Sequence, residues 1–242
     1  MQADTKAQRI ALCEVLSTYG INISYELAGL LLRHLELVIE KNKVLNLTRI
    51  TSIDEGIDKH IIDSLLLVKC FEECSDKAFL DIGTGAGFPG IPISIASGMS
   101  GTLIDSVGKK VSAVNDFLTE LDIHNVLAIK IRAEELAQEK SSVYDYVVAR
   151  AVAETSVLLE YASPLLKTDG LAVIAKAVPT TDELEHATIT AKICGMDYVS
   201  RETFELPHLM GTRTVLVYRK ISEPNIKLPR TVGMAKHHPL YE

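Results

Sequence analysis

The sequence has no long hydrophobic run and few cysteines. In a chain of 242 residues, no apolar run approaches the ~20 residues that a membrane-spanning helix needs. The polar opening stretch, Met1–Thr5, does not resemble the apolar core of a signal peptide. The four cysteines lack the paired C-x-x-C spacing that is typical of zinc sites, and they are Cys13, Cys70, Cys74 and Cys194. We therefore expect a cytoplasmic protein with no bound metal and no membrane association.

Positive charge is also scarce overall, but it is concentrated in two places. The net charge of −7 argues against a general nucleic-acid binder. The last part of the chain nevertheless carries five basic residues against two acidic ones: Arg219, Lys220, Lys227, Arg230 and Lys236 against Glu223 and Glu242. Lys41, Lys43 and Arg49 form a second cluster. Such local basic surfaces can bind RNA phosphates, although solvated surface charge explains them equally well on charge alone.

Residues 79–90 read FLDIGTGAGFPG, the most glycine-rich segment of the chain. The pattern predicts a short apolar strand, a tight turn and the start of a helix. Glycine is needed where the backbone takes a positive φ or where a ligand lies against it. The beginning of the helix would also offer free N–H groups to a nucleotide. The segment therefore indicates a cofactor-binding loop, although a turn that only packs strand on helix would look the same.

Two cofactors are compatible with this loop. Gly85, Gly87 and Gly90 spell G-x-G-x-x-G, and Asp105 lies where a dinucleotide-binding fold keeps its ribose-binding acid. The longer frame D-x-G-x-G-x-G, with Asp81 at the end of the strand and Gly83 as its first glycine, favours S-adenosylmethionine. A carboxylate at this position suits the methionine ammonium and would repel a pyrophosphate.

The chain divides into a helical first part and an alternating second part. Helical periodicity runs over Asp4–Tyr19, from Ser24 as a cap through Lys41, and over Ile57–Phe71. From Lys77 onward strands and helices alternate, which predicts a mostly parallel α/β sheet. The predicted strands are Ala78–Ile82, Thr102–Asp105, Val126–Ile131, Tyr144–Ala149, Leu171–Ala175, Tyr198–Glu205 and Thr212–Arg219. The predicted helices between them include Lys109–Leu121, Ser156–Leu166 and Thr181–Cys194.

The last two strands are separated by a short link and are expected to pair antiparallel. Seven strands ending in such a hairpin are the layout of the class I S-adenosylmethionine-dependent methyltransferase fold. We predict three parts: an N-terminal helical cap (1–75), a methyltransferase core (76–221) and a basic C-terminal tail (222–242). The cap leads directly into the core without a linker.

Polar residues follow the predicted strands where a ligand of an open α/β sheet lies. Asp105 closes the second strand and is suited to both ribose hydroxyls. Ala133 and Glu134 follow the third strand and are placed to border an adenine. Arg150 follows the fourth strand and Lys176 the fifth.

These residues carry a resemblance to a known family. The matching pieces are Asn46-Leu47-Thr48, His60-Ile-Ile-Asp63-Ser64, Asp81 to Pro92, Leu103 to Lys110, Arg132 to Glu135, Ala149-Arg150-Ala151, Pro229-Arg230-x-x-Gly233 and His238-Pro239-Leu240. Together they resemble the 16S ribosomal RNA guanine-N7 methyltransferase G family, over about Asn46 to Leu240. The chain departs from that pattern at Ala177, where glycine is expected, and at Thr214, where histidine is expected.

The resemblance implies cofactor contacts at Gly83, Phe88, Asp105, Ala133, Glu134 and Arg150, and Asp81, Gly85 and Gly87 join them from the loop. It also implies that the helical cap and basic tail face the RNA, with candidate contacts at Asn46, Thr48, His60, Asp63, Arg230 and Lys236. The expected partner is 16S rRNA or the assembling small ribosomal subunit, bound by a monomer.

Several of these residues have a structural alternative. Asn46 and Thr48 suit a helix cap, and His60 and Asp63 can pair locally on a helix. Phe88 suits the core, and Arg213 suits a structural bond to neighbouring carboxylates. Arg230 and Lys236 in the tail remain open between RNA contact and structure.

The implied reaction is an in-line methyl transfer to guanine N7. This nitrogen carries a lone pair and no proton, so no general base is required. The sequence accordingly contains no convincing catalytic dyad, and Arg150 and Lys176 are the candidates for a cation near the guanine. Three alternatives stay open: an S-adenosylmethionine-dependent enzyme for another RNA or a small molecule, an NAD(P)-linked oxidoreductase, and a non-catalytic cofactor-binding subunit on the ribosome.

Overall fold

The N-terminal part of the chain is helical. The computed structural model describes residues 6–72 and 76–242. Its first helices are α1 (Lys6–Thr18), α2 (Tyr25–Leu45), α3 (Ile53–Gly56) and α4 (Asp63–Leu65), with a π-helical turn at Ile57–Ile62 and a 3₁₀ turn at Leu66–Cys70. Ser24 caps α2, as predicted, by accepting a hydrogen bond from Leu27 N. Asp4, Thr5 and Cys74 lie outside the described residues.

A seven-stranded sheet follows the helical part. Its strands are β1 (Ala78–Ile82), β2 (Ser100–Asp105), β3 (Val126–Lys130), β4 (Tyr144–Arg150), β5 (Leu166–Lys176), β6 (Met196–Glu205) and β7 (Thr212–Lys220). Their order across the sheet is β3-β2-β1-β4-β5-β7-β6. Six strands run in one direction, and β7 runs against its neighbours β5 and β6. The predicted sheet and its antiparallel ending are confirmed.

Helices cover both faces of the sheet. They are α5 (Gly90–Ser97), α6 (Gly108–Glu120), α7 (Ala133–Glu139), α8 (Thr155–Ala162) and α9 (Thr181–Ile193), and the short α10 (Met234–His237) lies in the C-terminal tail. Strand β4 is apolar almost throughout, because a parallel strand between two helical layers is buried on both faces.

The predicted helix Ser156–Leu166 was wrong at its end. The helix stops at Ala162, and β5 begins at Leu166, five residues before the predicted strand. Pro164 has no N–H to continue the helical hydrogen bonds, and the chain turns through Leu165 N, which donates to Ala162 O. Leu166 then pairs with Tyr144 ahead of an irregular stretch in the β4–β5 ladder.

The hydrophobic core consists of two clusters. The first contains α1 and α2 residues such as Leu16 and Leu35 together with core residues such as Phe79. The second contains residues of α8, such as Leu159, and Ala235 of the tail. Because each accessory segment shares a cluster with the sheet, both pack directly on the core. The domain boundaries themselves stay a prediction.

Candidate active site

A cavity of about 260 Å³ opens at the carboxyl ends of β1 to β4. It brings together six of the residues predicted from the sequence: Gly83, Asp105, Ala133, Glu134, Arg150 and Lys236. A wider cavity of about 460 Å³ contains Phe71 and Met99, which precede β1 and β2, and therefore lies at the opposite edge of the sheet. Ligands of open α/β sheets bind at the carboxyl edge, so the smaller cavity is the candidate site.

The glycine loop that borders this cavity needs its glycines for two different reasons. Gly83 and Gly87 have φ of 75° and 90°, and a Cβ would lie 2.6 Å from Val152 Cγ2 and 2.7 Å from Ile91 Cδ1, respectively. Gly85 has φ of 61°, but a Cβ there would meet only Gly83 O, at 4.0 Å. The loop thus packs tightly on both sides and is open in its middle, where a ligand can approach the backbone.

The prediction of free N–H groups at the beginning of the helix was wrong, because the N–H groups of Ile91 and Ile93 in α5 donate to Gly87 O and Pro89 O, and those of the loop before it are also engaged. The N–H groups of Gly83 and Thr84 both donate to Ile104 O, and that of Phe88 donates to Thr84 O. The N–H of Gly90, at the start of α5, donates to Asp81 Oδ2 at 2.9 Å. These donors hold the loop in shape and are not available to a nucleotide.

Asp81 lies beneath the loop and is fully buried. Burial raises the pKa of its carboxyl group to about 7. The neighbouring hydroxyl of Thr84 and the N–H of Gly90 oppose this rise, so the carboxyl group is engaged within the protein and supports the loop from below. The predicted contact between Asp81 and the cofactor stays a prediction.

Asp105 connects the loop to the end of β2. Its Oδ2 accepts a hydrogen bond from Gly85 N at 3.1 Å, and its Oδ1 accepts one from Val107 N at 2.8 Å. Each carboxylate oxygen has a further lone pair, so the group can still accept hydroxyl hydrogen bonds from the cavity. This placement fits the predicted ribose-binding role.

Arg150 joins the cavity to the helical cap. Its Nη1 donates to Lys59 O at 3.0 Å and to Asp63 Oδ2 at 2.9 Å, and Arg213 Nε donates to Asp63 Oδ1. Arg150 Nη2 lies 3.3 Å from His60 Nδ1. Arg213 therefore makes the structural bond to a carboxylate that was one of its two interpretations from the sequence. His60 and Asp63 do not pair directly, and each contacts Arg150 instead.

His60 carries the network on to Thr48. Because Arg150 can only donate, Nδ1 of His60 accepts, and its Nε2–H donates to Thr48 Oγ1 at 3.0 Å. Burial and the adjacent Arg150 lower the pKa of His60 to about 3, so the ring is neutral. Asn46 lies outside this network, exposed at the end of α2 with φ of 48°.

Phe88 packs between the loop and the cap rather than lining the cavity. Its ring is stacked on His60 at 4.4 Å and lies 4.4 Å from His34. His34 is fully buried, its Nε2–H donates to Ala86 O at 3.1 Å, and burial lowers its pKa to about 3. Sequence reasoning missed His34, and its place on the apolar stripe of α2 beside Leu31 and Val38 was the available signal.

On the other side of the cavity, Glu134 is engaged by the C-terminal tail. The nearly buried Glu134 accepts a hydrogen bond from Gly233 N at 3.0 Å through Oε1. Arg230 forms a bidentate ion pair with Glu160, at 2.7 and 2.6 Å. The guanidinium predicted to contact RNA is thus bound inside the protein, and its RNA role stays a prediction.

Lys176 is also bound within the protein. Its Nζ lies 2.6 Å from Glu183 Oε1 and donates to Ala153 O at 2.9 Å. Glu183 in turn accepts from the hydroxyl of Thr155. Lys176 therefore holds the end of β5 to the segment after β4. The ammonium of Lys176 is directed to these partners, whereas Arg150 lies in the wall of the cavity.

The strand order and the glycine loop define a class I S-adenosylmethionine-dependent methyltransferase fold. Solved structures share it: TYW2 of M. jannaschii in complex with AdoMet has a TM-score of 0.55 at 18% identity, covering 72% of this chain and 80% of that one. The [4+2]-cyclase SpnF also has a TM-score of 0.55, at 13% identity, covering 66% of this chain and 81% of that one. At these identities the likeness concerns the fold alone.

Residues 28–210 match the family model of GidB, rRNA small subunit methyltransferase G, and the chain belongs to this family. The ribosomal RNA small subunit methyltransferase G of Carboxydothermus hydrogenoformans is 36% identical over 225 residues, covering 92% of this chain and 95% of that relative. The protein of the same name from Trichodesmium erythraeum is 39% identical over 213 residues, covering 85% and 84%. The resemblance predicted from the sequence motifs is confirmed.

The residues of the cavity fit S-adenosylmethionine. The open face at Gly85 leaves room for a ligand against the backbone, and the carboxylate of Asp105, which lines the cavity, offers acceptors for ribose hydroxyls. The dinucleotide alternative fails on topology, because β7 is inserted antiparallel between β5 and β6, unlike the sixth strand of the dinucleotide-binding fold. The cofactor is therefore S-adenosylmethionine.

Proposed function

We propose that this protein transfers a methyl group from S-adenosylmethionine to N7 of one guanine in small-subunit ribosomal RNA. The observation that carries the proposal is the cavity that unites Gly83, Asp105, Glu134 and Arg150 in a chain of the methyltransferase G family. The names of the relatives specify small-subunit ribosomal RNA as their target, and the choice of guanine N7 comes from the family resemblance and from the chemistry of that nitrogen.

Bound S-adenosylmethionine supplies an activated methyl group that a lone pair on a nucleophile can accept. Guanine N7 has such a lone pair and no proton, so the protein need not provide a base. Two buried histidines near the loop, His34 and His60, are neutral because burial lowers the pKa of each to about 3. The protein's contribution is to hold the reacting groups in line and to exclude water.

Arg150 has the central positioning role in this proposal. It borders the cavity, lies 5.7 Å from the Phe88 ring and holds the cap through Asp63. A guanine that enters between cap and loop would meet an environment fixed by this arginine. Lys176, which is paired with Glu183, has a smaller role in the reaction.

The RNA is proposed to lie across the cap and the tail, on the side of the cavity mouth. Of the six predicted contacts, Asn46 and Lys236 are exposed and Thr48 and Arg230 are half-buried, whereas His60 and Asp63 are buried in the Arg150 network and act through the shape of the cap. We further propose that the protein acts as a monomer in the cytoplasm and without a metal. Among residues 6–72 and 76–242, no helix is long and apolar enough to cross a membrane.

The test is methyl transfer from labelled S-adenosylmethionine to small-subunit RNA from a strain that lacks this protein. The RNA is offered naked and as the assembled subunit, and the product is located by strand cleavage specific for N7-methylguanine. A single new cleavage site in either form is expected.

Two variants serve as controls in this assay. Asp105→Ala removes a carboxylate of the cavity and should abolish transfer, whereas Asp116→Ala removes an exposed carboxylate on α6 and should not. No transfer to either substrate by a protein that binds the cofactor would overturn the rRNA proposal.

A further inference from the structure

The C-terminal tail is packed along the cavity rather than extended into solvent. Arg230 is fixed to Glu160 by two hydrogen bonds, and Ala235 is buried in the core cluster of α8. Beyond the cavity, the Tyr241 ring stacks on His186 at 3.6 Å and 5°. The tail is thus held on both sides of residues 233–237.

These attachments fix the position of Lys236. Gly233 N donates to Glu134, and Lys236 follows within the next helical turn, α10. Lys236 lines the same cavity as Asp105, Ala133 and Glu134. A lysine on a flexible basic tail would not be held among the residues that surround the cofactor.

We propose that the tail forms one wall of the cofactor cavity and that Lys236 is a cofactor-binding residue, acting through its aliphatic stem. The inference rests on the proposed function only in taking S-adenosylmethionine as the ligand. It assigns to the cofactor a residue that the sequence motifs assign to RNA.

The nucleoside part of the cofactor is the part that Lys236 covers. Its neighbours in the wall, Glu134 and Asp105, follow β3 and β2, where the adenine and ribose were predicted to lie. Lysine packs its methylene groups on apolar surfaces and keeps its ammonium in water, which suits the flat face of an adenine. A position near the positively charged sulfonium would instead be disfavoured by like-charge repulsion.

The experiment measures the affinity for S-adenosylhomocysteine by titration calorimetry, without RNA. Lys236→Ala removes stem and charge, Lys236→Met keeps most of the stem, and Lys227→Ala is the matched control. Lys227 is an exposed lysine of the same tail that does not line the cavity. Lys236→Ala is expected to weaken binding about tenfold, the equivalent of roughly two methylene groups taken from water. Lys236→Met should bind within about twofold of the wild type, and Lys227→Ala should bind like it.

The melting temperature of the ligand-free protein separates binding from folding. It should be the same in all four proteins, because the exposed side chain of Lys236 contributes to the cavity and not to the core. Wild-type affinity in Lys236→Ala, with reduced RNA methylation, would overturn the inference in favour of an RNA contact. Equal weakening in Lys236→Ala and Lys236→Met would overturn the role of the stem. Failure of the wild type to bind would instead contradict the cofactor assignment itself.

Discussion

The cap and the tail are each joined to a residue of the cavity, the cap to Arg150 and the tail to Glu134, but they are attached by different kinds of contact. The cap contributes a buried network, in which the carboxylate of Asp63 is 1% exposed and is held by Arg150 and Arg213. The tail combines one buried attachment, Arg230 on the 5% exposed carboxylate of Glu160, with contacts at the surface, such as that of the Tyr241 hydroxyl 3.3 Å from exposed Glu154.

This difference decides what each segment can do. Water cannot take the place of the partner that a buried charge loses, so the cap network has essentially one arrangement. Exposed groups can exchange protein partners for water at small cost, so the tail is fixed at Arg230 and only its end, near Tyr241, can move away and return. We infer that the cap fixes the shape of the glycine loop, whereas the tail is anchored at Arg230 and adapts only at its end.

Removing Asp63 is the strongest test of the cap side. Asp63→Ala leaves two arginines, 10% and 16% exposed, without their shared carboxylate. The free energy of unfolding should fall by about 3–5 kcal/mol, measured by urea denaturation. Asp116→Ala, which breaks an exposed pair with Lys41, should cost at most about 1 kcal/mol. Similar losses in the two variants would remove the distinction between a buried cap network and surface charge.

The variants Arg150→Ala and Lys176→Ala compare how much the polar residues at the ends of β4 and β5 contribute to methyl transfer. Arg150→Ala should lower kcat/KM for methyl transfer by about a hundredfold, because it releases both the cavity wall and the cap. Lys176→Ala should lower it only about threefold, because its ion pair with Glu183 lies away from the reacting groups. Small and equal losses in rapid-quench assays would refute the positioning role of Arg150.

The buried histidines predict a pH dependence of stability. The pKa of His34 falls from 6.5 to about 3 on folding, so between these values the unfolded chain binds more protons. The contribution of His34 to the free energy of unfolding is therefore at its maximum above pH 6.5, and it falls by about 1.4 kcal/mol for each pH unit below that value. In His34→Leu this dependence is absent, so the stability difference from the wild type should shrink between pH 6.5 and 5.

Asp81 changes the stability with pH in the opposite direction to His34. The wild type alone would therefore show the sum of the two effects, and the comparison with His34→Leu separates them. The pKa of Asp81 rises from 3.8 to about 7 on folding, so it binds more protons in the folded state over that window, and its contribution weakens as the pH rises. Asp81 is present in both proteins and cancels in their difference. A difference that stays constant from pH 7 to 5 in urea titrations would show that His34 is not a buried neutral ring.

The fold was predictable because its signals are local. Apolar strands, the glycine turn at Gly83–Gly87 and the Ser24 cap each follow from a few adjacent residues, and the predicted strands are all present. The error at β5 arose where Pro164 ends a helix within an apolar run that fits helix and strand alike.

The site was predictable only in part, because long-range pairing leaves no local signal. Asp105 and Glu134 line the cavity as predicted, since strand ends converge at one edge of a parallel sheet. That Arg230 would meet Glu160, seventy residues away along the chain, could not be read from a basic tail. His34, likewise, contacts a loop carbonyl 52 residues away.

The smallest expected effect belongs to the tail and tests its attachment to Glu160. Arg230→Lys keeps the charge but loses the two-pronged geometry on Glu160, because a lysine donates from a single nitrogen. It should cost about 1 kcal/mol of stability and weaken S-adenosylhomocysteine binding by about threefold, since the wall that carries Lys236 is held less firmly. Arg219→Lys is the matched control, because Arg219 lies away from the cavity with single contacts to Glu72 at 3.9 Å and to Asp169 O at 3.0 Å; it should leave cofactor affinity unchanged and cost at most about 1 kcal/mol of stability. If Arg230→Lys loses several times more stability than about 1 kcal/mol while cofactor affinity is unchanged, the pair with Glu160 belongs to the rigid core and does not position the wall that carries Lys236.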